Sequence, residues 1–172
     1  GEEPGEEPEV PTVSTGFTDV KADDWFSPAV KFVVEKNLMV GTTEDKFDPY
    51  MDTTRGMIIT VLYRLEGSPE VNGANPFADV AADSYYAKAV IWGLQNGIIY
   101  GFSETEFGPE AKITREQLMA IMHRYAEFKG YDLSHGEDVE LHLYDDDHHV
   151  SGWAEEAMKY GVGSGLIYGK TE

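Results

Sequence analysis

Residues 17–65 read FTDVKADDWFSPAVKFVVEKNLMVGTTEDKFDPYMDTTRGMIITVLYRL, and residues 77–125 read FADVAADSYYAKAVIWGLQNGIIYGFSETEFGPEAKITREQLMAIMHRY. The second stretch repeats the first at a spacing of 60 residues without a gap, and 14 of the 49 aligned positions are identical. Ordinary composition would give roughly three identities by chance. A repeat of this length predicts a fold of stacked units, each too small to bury its apolar surface alone.

The first half of the pattern returns a third time near the end of the sequence. Tyr144 and Asp146 stand for the Phe-x-Asp that opens each complete repeat, and Trp153 takes the position of Trp25 and Tyr85. Three further positions match glycines and a tyrosine of the second repeat, namely Gly165, Tyr168 and Gly169. The third copy is therefore predicted to be partial.

The repeats and the composition around them set the expected domain organisation. Residues 1–16 hold five glutamates, several prolines and no basic residue, a composition typical of an extended linker. A linker at the front leads us to expect a C-terminal piece of a larger protein. The predicted segments are a linker at 1–16, repeats at 17–66 and 77–129, and a partial repeat at 144–172, with the repeats forming one domain.

The charge of the chain limits its partners. The formal net charge is −19, from 32 acidic and 13 basic residues. Nucleic acid is disfavoured because a phosphate-neutralising surface is missing, and so are anionic membrane surfaces. The sequence has no cysteine, so disulfides and thiolate metal sites are excluded. No apolar stretch approaches the ~18 residues of a membrane span, so we expect no membrane insertion.

Each complete repeat predicts a helix, a loop and a second helix. Ser27-Pro28 is typical of a helix start, with the serine capping the free amides and proline in the first turn. Phe47-Asp48-Pro49 and Phe107-Gly108-Pro109 predict a buried aromatic side chain followed by a turn. The second helices are expected to start at Thr54 and Thr114. β-Structure should be minor, so we predict an all-α fold.

The Thr-Arg pairs at the second helix starts are the sharpest functional signal. Thr114 and Gln117 fit a capping box, whereas the first repeat has Met57 in the glutamine position. An arginine in the first turn opposes the helix macrodipole by ~0.3–1 kcal/mol. Its recurrence at Arg55 and Arg115 suggests a compensating anion, because free amides and a guanidinium together form a carboxylate or phosphate site. The alternative is an ion pair within this acidic chain.

Two other groups of residues are weaker candidates. The aromatic residues before the first helices, Trp25, Tyr85 and Trp153, could stack on sugar rings, although periodicity favours core packing and each could do both. The acidic and histidine-rich run at 145–149 matches no calcium or zinc spacing, so a solvated turn is favoured over a metal site. His123 is expected to pack. No catalytic motif is found, and we predict no enzyme activity, cofactor or metal.

Taken together, the motifs resemble those of a known module. The order Phe-x-Asp-Val, an aromatic followed by Ala-Val, Gly, Phe-x-Pro, Thr-Arg and a terminal Arg is similar to the S-layer homology motif of bacterial cell-surface proteins. Two copies are whole, at 17–65 and 77–125, and one is half, at 144–169. The resemblance implies a pseudo-threefold helical bundle with grooves between repeats. It also implies an extracellular protein held non-covalently to the cell wall by secondary cell-wall polysaccharide that bears pyruvate ketals.

The resemblance also implies a set of binding residues. Arg55 and Arg115 would engage the ketal carboxylates, and Thr54 and Thr114 would cap the helices and orient those arginines. The remaining expected groove residues are Trp25, Tyr85, Trp153, Gly41 and Gly101, the glycines allowing close approach of backbone to a sugar. Because its helix is better capped, we expect Arg115 to contribute more than Arg55.

The sequence leaves two alternative functions open. The partial third repeat lacks the Phe-x-Pro loop and the Thr-Arg helix, so a partner helix or a second copy of the chain could complete it, making the module a protein–protein interaction domain. A stable dimer in solution would favour that function. The chain could also be an accessory domain of a wall-active hydrolase whose enzyme lies upstream.

Overall fold

The structure is a computed structural model that describes residues 16–169, so the predicted linker lies outside the described residues apart from Gly16. The described residues fall into two compact units, 16–51 and 52–169. The helices are α1 (Ser27–Glu35), α2 (Arg55–Leu65), α3 (Ala87–Gln95), α4 (Arg115–Lys129) and α5 (Glu155–Gly163). That the repeats form one domain stays a prediction.

The all-α class is confirmed for the described residues. Between 16 and 169 the only β-type pairing is an isolated antiparallel bridge between Thr54 and Lys112. Short 3₁₀ turns connect α4 to α5, at Ser134–Gly136, Leu141–Leu143, Asp147–His149 and Gly152–Ala154. No helix in the described part of the chain is both long and apolar enough to cross a membrane.

Helix α1 begins where the sequence predicts, but the role expected for Ser27 is wrong. The N-cap residue is Phe26, which makes no capping hydrogen bond, and Ser27 is the first helical residue. The Ser27 amide donates to the carbonyl of Asp24 at 2.9 Å, which holds the serine inside the helix start. Its hydroxyl is buried and has no hydrogen-bond partner among the described residues.

An aspartate at the front of each complete repeat holds the Phe-x-Pro loop of the same repeat. In the first unit, the Asp19 carboxylate accepts the amides of Phe47 at 2.9 Å and Asp48 at 2.7 Å. Both hydrogen bonds lower the pKa of Asp19, and the bond from the Phe47 amide has the larger effect. The rings of Phe17 and Phe47 lie 5.5 Å apart. The spacing of the motif, which recurs in both complete repeats, thus has a direct structural cause, since its first and second halves bind each other.

The second repeat makes the same contacts within the second unit. The Asp79 carboxylate accepts the amides of Phe107 at 2.9 Å and Gly108 at 2.7 Å. The rings of Phe77 and Phe107 lie 5.6 Å apart. Phe107 is fully buried. The loop is therefore anchored by one aromatic side chain and by two amides that share one carboxylate.

In the second unit, the second helix of one repeat packs on the first helix of the next. Helix α2 contacts α3, and helix α4 contacts α5. In each pair, the two helices come closest at a glycine. Gly93 of α3 lies against Ile59 of α2, and Gly161 of α5 lies against Met119 of α4. A Cβ on Gly93 would come within 2.6 Å of Ile59 Cδ1. The contact at α4–α5 shows that the partial third repeat keeps the packing of the complete ones.

The far ends of α2 and α4 are joined by a charged hydrogen-bond network. Glu66, just after α2, accepts the hydroxyl proton of Tyr125 and pairs with Lys129 Nζ at 2.9 Å. The hydrogen bond from Tyr125 lowers the pKa of Glu66 most, and the hydrogen bond from Lys129 lowers it further, to below the usual 4.5. The network contributes stability while Glu66 is ionised.

Replacing Asp79 with alanine should lower the free energy of unfolding by about 2 kcal/mol, because the amides of Phe107 and Gly108 lose their charged acceptor. Asp83→Ala, at an exposed position, is the matched control and should change stability by less than about 0.5 kcal/mol. Urea unfolding followed by circular dichroism measures both. Equal losses in the two variants would contradict the proposed anchoring of the loop.

The stability contribution of Glu66 should depend on pH in a defined direction. Since its folded pKa is lowered, the contribution is present above pH 4.5 and is lost as pH falls through the folded value. Glu66→Gln should therefore be less stable than the parent by about 1–2 kcal/mol at pH 7, and the gap should close towards pH 3. Thermal unfolding from pH 7 to pH 3 measures the gap, with exposed Glu127→Gln as control. A gap that stays constant with pH would rule out this contribution.

Candidate ligand-binding groove

The guanidinium of Arg55 is buried against the backbone of the second repeat. Its side chain begins at the first residue of α2 and the residue is 6% exposed. Nε donates to the Phe107 carbonyl at 3.0 Å, and Nη2 donates to the Tyr100 carbonyl at 2.7 Å. The group also lies over the rings of Phe102 at 4.5 Å and Phe107 at 4.6 Å. Carbonyls and aromatic faces therefore hold Arg55, and no described carboxylate forms an ion pair with it.

The free amides expected at the start of α2 are not free, and that expectation is wrong. The Arg55 amide donates to the Ala111 carbonyl at 3.0 Å, and the Gly56 amide to the Pro109 carbonyl at 2.8 Å. The Thr54 hydroxyl accepts the Met57 amide at 3.3 Å, so the predicted cap is present. The loop of the second repeat folds over the helix end and occupies the place expected for an anion.

A groove nevertheless opens beside the Arg55 guanidinium. Its volume is about 320 Å³. The lining residues are Arg55, Tyr100, Gly101, Phe102, Gln117, Ala120, Ile121, Arg124 and Trp153. Two of them are cations and none is acidic, in a chain with a net charge of −19. This composition creates a local positive site within an acidic molecule.

The second cation of the groove is Arg124, which is not among the site residues predicted from the sequence. Its guanidinium lies over the Tyr100 ring at 4.8 Å. Burial is the main cause that lowers the pKa of Arg55, and the positive charge of Arg124 lowers it further. A guanidinium nevertheless stays protonated at neutral pH. The identity of Arg64 and Arg124 at matched repeat positions was the signal that could have identified it.

Arg115 lies in a different and acidic environment. It is exposed, and its Nη2 donates to the Tyr168 carbonyl at 2.5 Å. The adjoining cavity of about 400 Å³ also carries Glu116, Asp146 and Asp147. The predicted capping box at Thr114 is confirmed: its hydroxyl accepts the Gln117 amide at 3.2 Å, and Gln117 Oε1 accepts the Thr114 amide at 3.4 Å. The two arginines thus occupy matched positions with opposite surroundings.

Comparison with known families agrees with the resemblance noted from the sequence. The profile of the S-layer homology domain matches residues 16–56 and 76–119. The chain carries S-layer homology domains. The matched segments contain both Thr-Arg pairs and both Phe-x-Pro loops. They span the first helix and the loop of each complete repeat and end within the first turns of α2 and α4.

Similar proteins include enzymes as well as surface proteins. An endoglucanase of Bacillus sp. (strain KSM-635) is 31% identical over 91% of this chain and 16% of its own length. A surface-layer 125 kDa protein of Lysinibacillus sphaericus is 29% identical over 87% of the chain and 12% of its own. A cellulosome-anchoring protein of Acetivibrio thermocellus is 30% identical over 66% of the chain and 26% of its own. The chain thus spans about a quarter or less of the length of each.

The other predicted site residues are distributed as follows. Trp153 and Gly101 line the groove with Arg55, whereas Tyr85 lies outside that lining, edge-on to Tyr86 with ring centroids 4.8 Å apart. Trp25 and Gly41 belong to the unit 16–51. Trp25 is 87% exposed and contacts Phe26 edge-on at 5.4 Å.

The recurrent glycines of the S-layer homology domains have a packing role. A Cβ on Gly41 would collide with the Phe17 ring and with two loop carbonyls, and a Cβ on Gly101 would collide with the Phe77 ring and the matching carbonyls. The glycines therefore allow the aromatic residue of the Phe-x-Asp motif to lie against the loop. Gly101 also borders the groove, so close approach of a sugar there stays a prediction.

The run at 145–149 makes only local contacts. His148 Nδ1 lies 3.8 Å from Asp147, and the rings of His148 and His149 are 4.1 Å apart. Within residues 16–169, no group of three or more acidic or histidine side chains is arranged to hold a metal ion. His123 packs edge-on against Tyr160 at 5.3 Å.

The two arginines of the groove should differ in their effect on stability. Arg55→Met should cost about 2–3 kcal/mol, because the carbonyls of Tyr100 and Phe107 lose a charged donor. Arg124→Met should cost less than about 1 kcal/mol, because its guanidinium lies over the exposed ring of Tyr100. Urea unfolding of both variants measures the difference. Similar losses would contradict the structural role assigned to Arg55.

Proposed function

We propose that this chain is a non-catalytic module that anchors a protein to the bacterial cell surface by binding an anionic polysaccharide of the cell wall. Its S-layer homology domains, and its similarity to a surface-layer protein and a cellulosome-anchoring protein, support the anchoring role. The observation that carries the ligand class is the groove of Arg55, Arg124 and Trp153, to whose lining the described residues contribute no carboxylate.

The charge of the chain makes a local positive site necessary for such a ligand. A net charge of −19 repels an anionic polymer at long range, although this repulsion is screened within about 8 Å at physiological salt. At contact distance, the ligand meets two guanidinium groups. A guanidinium has five N–H donors in a planar fork that suits carboxylates. Arg55 donates one N–H from Nε and one from Nη2 to backbone carbonyls. Its remaining N–H groups are left to donate to a ligand.

The aromatic residue of the groove favours a sugar over a simple anion. Trp153 is 59% exposed and lines the groove, so one face of its indole is available to a sugar ring. In the proposed complex, a carboxylate such as that of a pyruvate ketal lies between Arg55 and Arg124, and the sugar ring stacks on Trp153. Thr54 contributes indirectly by capping α2 and fixing the start of the Arg55 side chain.

The acidic surroundings of Arg115 make it a weaker candidate for this ligand than Arg55. The lining of its cavity includes Glu116, Asp146 and Asp147, and like charges close to a carboxylate oppose its binding. The earlier expectation, which placed Arg115 above Arg55, rested on helix capping. The distribution of charge around the two sites favours the reverse order.

The proposed role agrees with the enzymes found among the similar proteins. The chain matches a small share of the endoglucanase, as expected if a wall-binding module is joined to different catalytic domains. We propose an extracellular location at the cell wall for the same reason. A catalytic activity would belong to sequence outside the 172 residues of this chain.

Sedimentation with purified cell walls tests the proposed groove. Arg124→Gln and Trp153→Ala should each raise the dissociation constant at least tenfold, about 1.4 kcal/mol, since they remove a charge-assisted contact and a stacking face. Arg115→Gln, which removes a cation at the matched repeat position, is the control and should bind like the parent. Added salt should weaken binding of the parent more than that of Arg124→Gln.

Chemical removal of the wall polysaccharide before sedimentation tests the ligand class. Binding should be lost with the polysaccharide and should be competed by the isolated polymer. The proposal fails if stripped walls bind equally well, or if Arg115→Gln weakens binding while Arg124→Gln does not.

A further inference from the structure

We propose that Asn72, in the linker between the two complete repeats, is a site of spontaneous deamidation that converts it to aspartate and isoaspartate. The sequence has two Asn-Gly pairs, Asn72-Gly73 and Asn96-Gly97. The structure leaves the reacting groups of the first pair accessible and holds those of the second within the end of a helix. This inference does not depend on the polysaccharide-binding role of the groove.

The reaction needs only the chain and water. The backbone nitrogen of the residue after the asparagine loses its proton to the solvent and attacks Cγ of the asparagine side chain. A bond forms between this nitrogen and Cγ, the bond between Cγ and Nδ2 breaks, and Nδ2 leaves as ammonia. Water then opens the cyclic imide at either of its carbonyls, which gives aspartate or isoaspartate. Glycine after the asparagine favours the attack because it has no side chain and the widest range of backbone angles.

The first Asn-Gly pair lies in an exposed part of the linker. Asn72, Gly73 and Ala74 are all exposed. The Gly73 amide and the Asn72 side chain make no hydrogen bond to a residue in the range 16–169. The nucleophile and the leaving group are therefore both available, and no bond to either has to break before the attack.

The linker is fixed on both sides of this pair. Val71 packs against the main hydrophobic core of the second unit. Asn75 Nδ2 donates to two backbone carbonyls of the turn that follows, at 3.0 and 2.7 Å. Between these two anchors, Gln95 Nε2 donates to the Asn72 carbonyl at 2.5 Å. Residues 72–74 can therefore rearrange into the imide while the core stays packed.

The second Asn-Gly pair is held at the end of α3. Asn96 Nδ2 donates to the Trp92 carbonyl at 2.8 Å. The Gly97 amide donates to the Leu94 carbonyl at 3.1 Å. The next residue, Ile98, is fully buried. Both the leaving group and the nucleophile are therefore engaged, and the attack requires the end of the helix to open first.

The other two asparagines of the sequence are unsuited to the reaction. Asn37 precedes a leucine, whose amide donates to the Val33 carbonyl at 2.8 Å. Asn75 precedes Pro76, whose nitrogen carries no proton to lose. Of the four asparagines, Asn72 is thus the one at which sequence and structure both permit ring closure.

The product differs from the parent in charge and in backbone length. A neutral amide becomes a carboxylate, so the formal net charge changes from −19 to −20. Isoaspartate also routes the main chain through Cβ and Cγ, which adds a methylene group between the anchors at Val71 and Asn75. The reaction therefore makes the linker between the repeats more acidic and longer.

Incubation of the whole chain in mildly alkaline buffer, followed by peptide mass spectrometry, tests the site. Trypsin places Asn72 and Asn96 in separate peptides, residues 65–88 and 89–112. Asn72 should deamidate at least about tenfold faster than Asn96, because Asn96 reacts only while the helix end is open. Labelling with isoaspartate methyltransferase identifies the product, and a sample digested without incubation corrects for reaction during digestion.

Unfolding in guanidinium chloride is the matched control, since it frees both Asn-Gly pairs. The two asparagines should then react at similar rates. Asn72→Gln should remove the reaction from its peptide, and isoelectric focusing should show no growth of the acidic form that the parent produces. The proposal is overturned if Asn72 of the folded chain reacts no faster than Asn96, or if its advantage is as large in the unfolded chain as in the folded one.

Discussion

The structure of the second unit depends on one arginine that joins consecutive repeats. Arg55 begins the second helix of the first repeat, yet its guanidinium bonds the carbonyls of Tyr100 and Phe107 in the second. These bonds, with those from the Arg55 and Gly56 amides, tie α2 to a loop about 50 residues downstream. Because the cation satisfies backbone carbonyls, its position at a positively polarised helix end needs no acidic partner from the chain.

In the proposed function, the same bonds determine where a ligand can reach the protein. With the amides at the start of α2 bonded to the loop, the positive charge that borders the groove is that of the Arg55 and Arg124 guanidinium groups. Among residues 16–169, no acidic residue lines that groove, whereas Glu116, Asp146 and Asp147 line the cavity beside Arg115. In the proposed function, the groove of Arg55 and Arg124 suits an anion, whereas the acidic neighbours of Arg115 disfavour one there.

Much of the local structure could be predicted from the sequence, because it depends on local chemistry and on the repeat. The starts of the second helices at Thr54 and Thr114, the capping box and the burial of Phe107 follow from short motifs. The bonding of the α2 amides could not be predicted, since their partners at Pro109 and Ala111 come together only in the folded chain.

The candidate site was predicted less completely, for the same reason. Arg55, Gly101 and Trp153 were predicted as site residues and line one groove, and Arg124 joins them from α4. Its match to Arg64 in the first repeat marks the position in the sequence but does not show which residues it lies against. Its role depends on the packing that brings Tyr100 beneath its guanidinium. The acidic surroundings of Arg115 could not be predicted either, because its neighbours Asp146 and Asp147 lie about 30 residues away in sequence.

The most direct test of the account is a titration of the protein, labelled with ¹⁵N at the arginine side chains, with the isolated acidic polysaccharide. The Nε signals of Arg55 and Arg124 should shift together and saturably, while that of Arg115 stays in place. Saturable shifts at Arg115 with none at Arg55 and Arg124 would contradict the assignment of the binding groove.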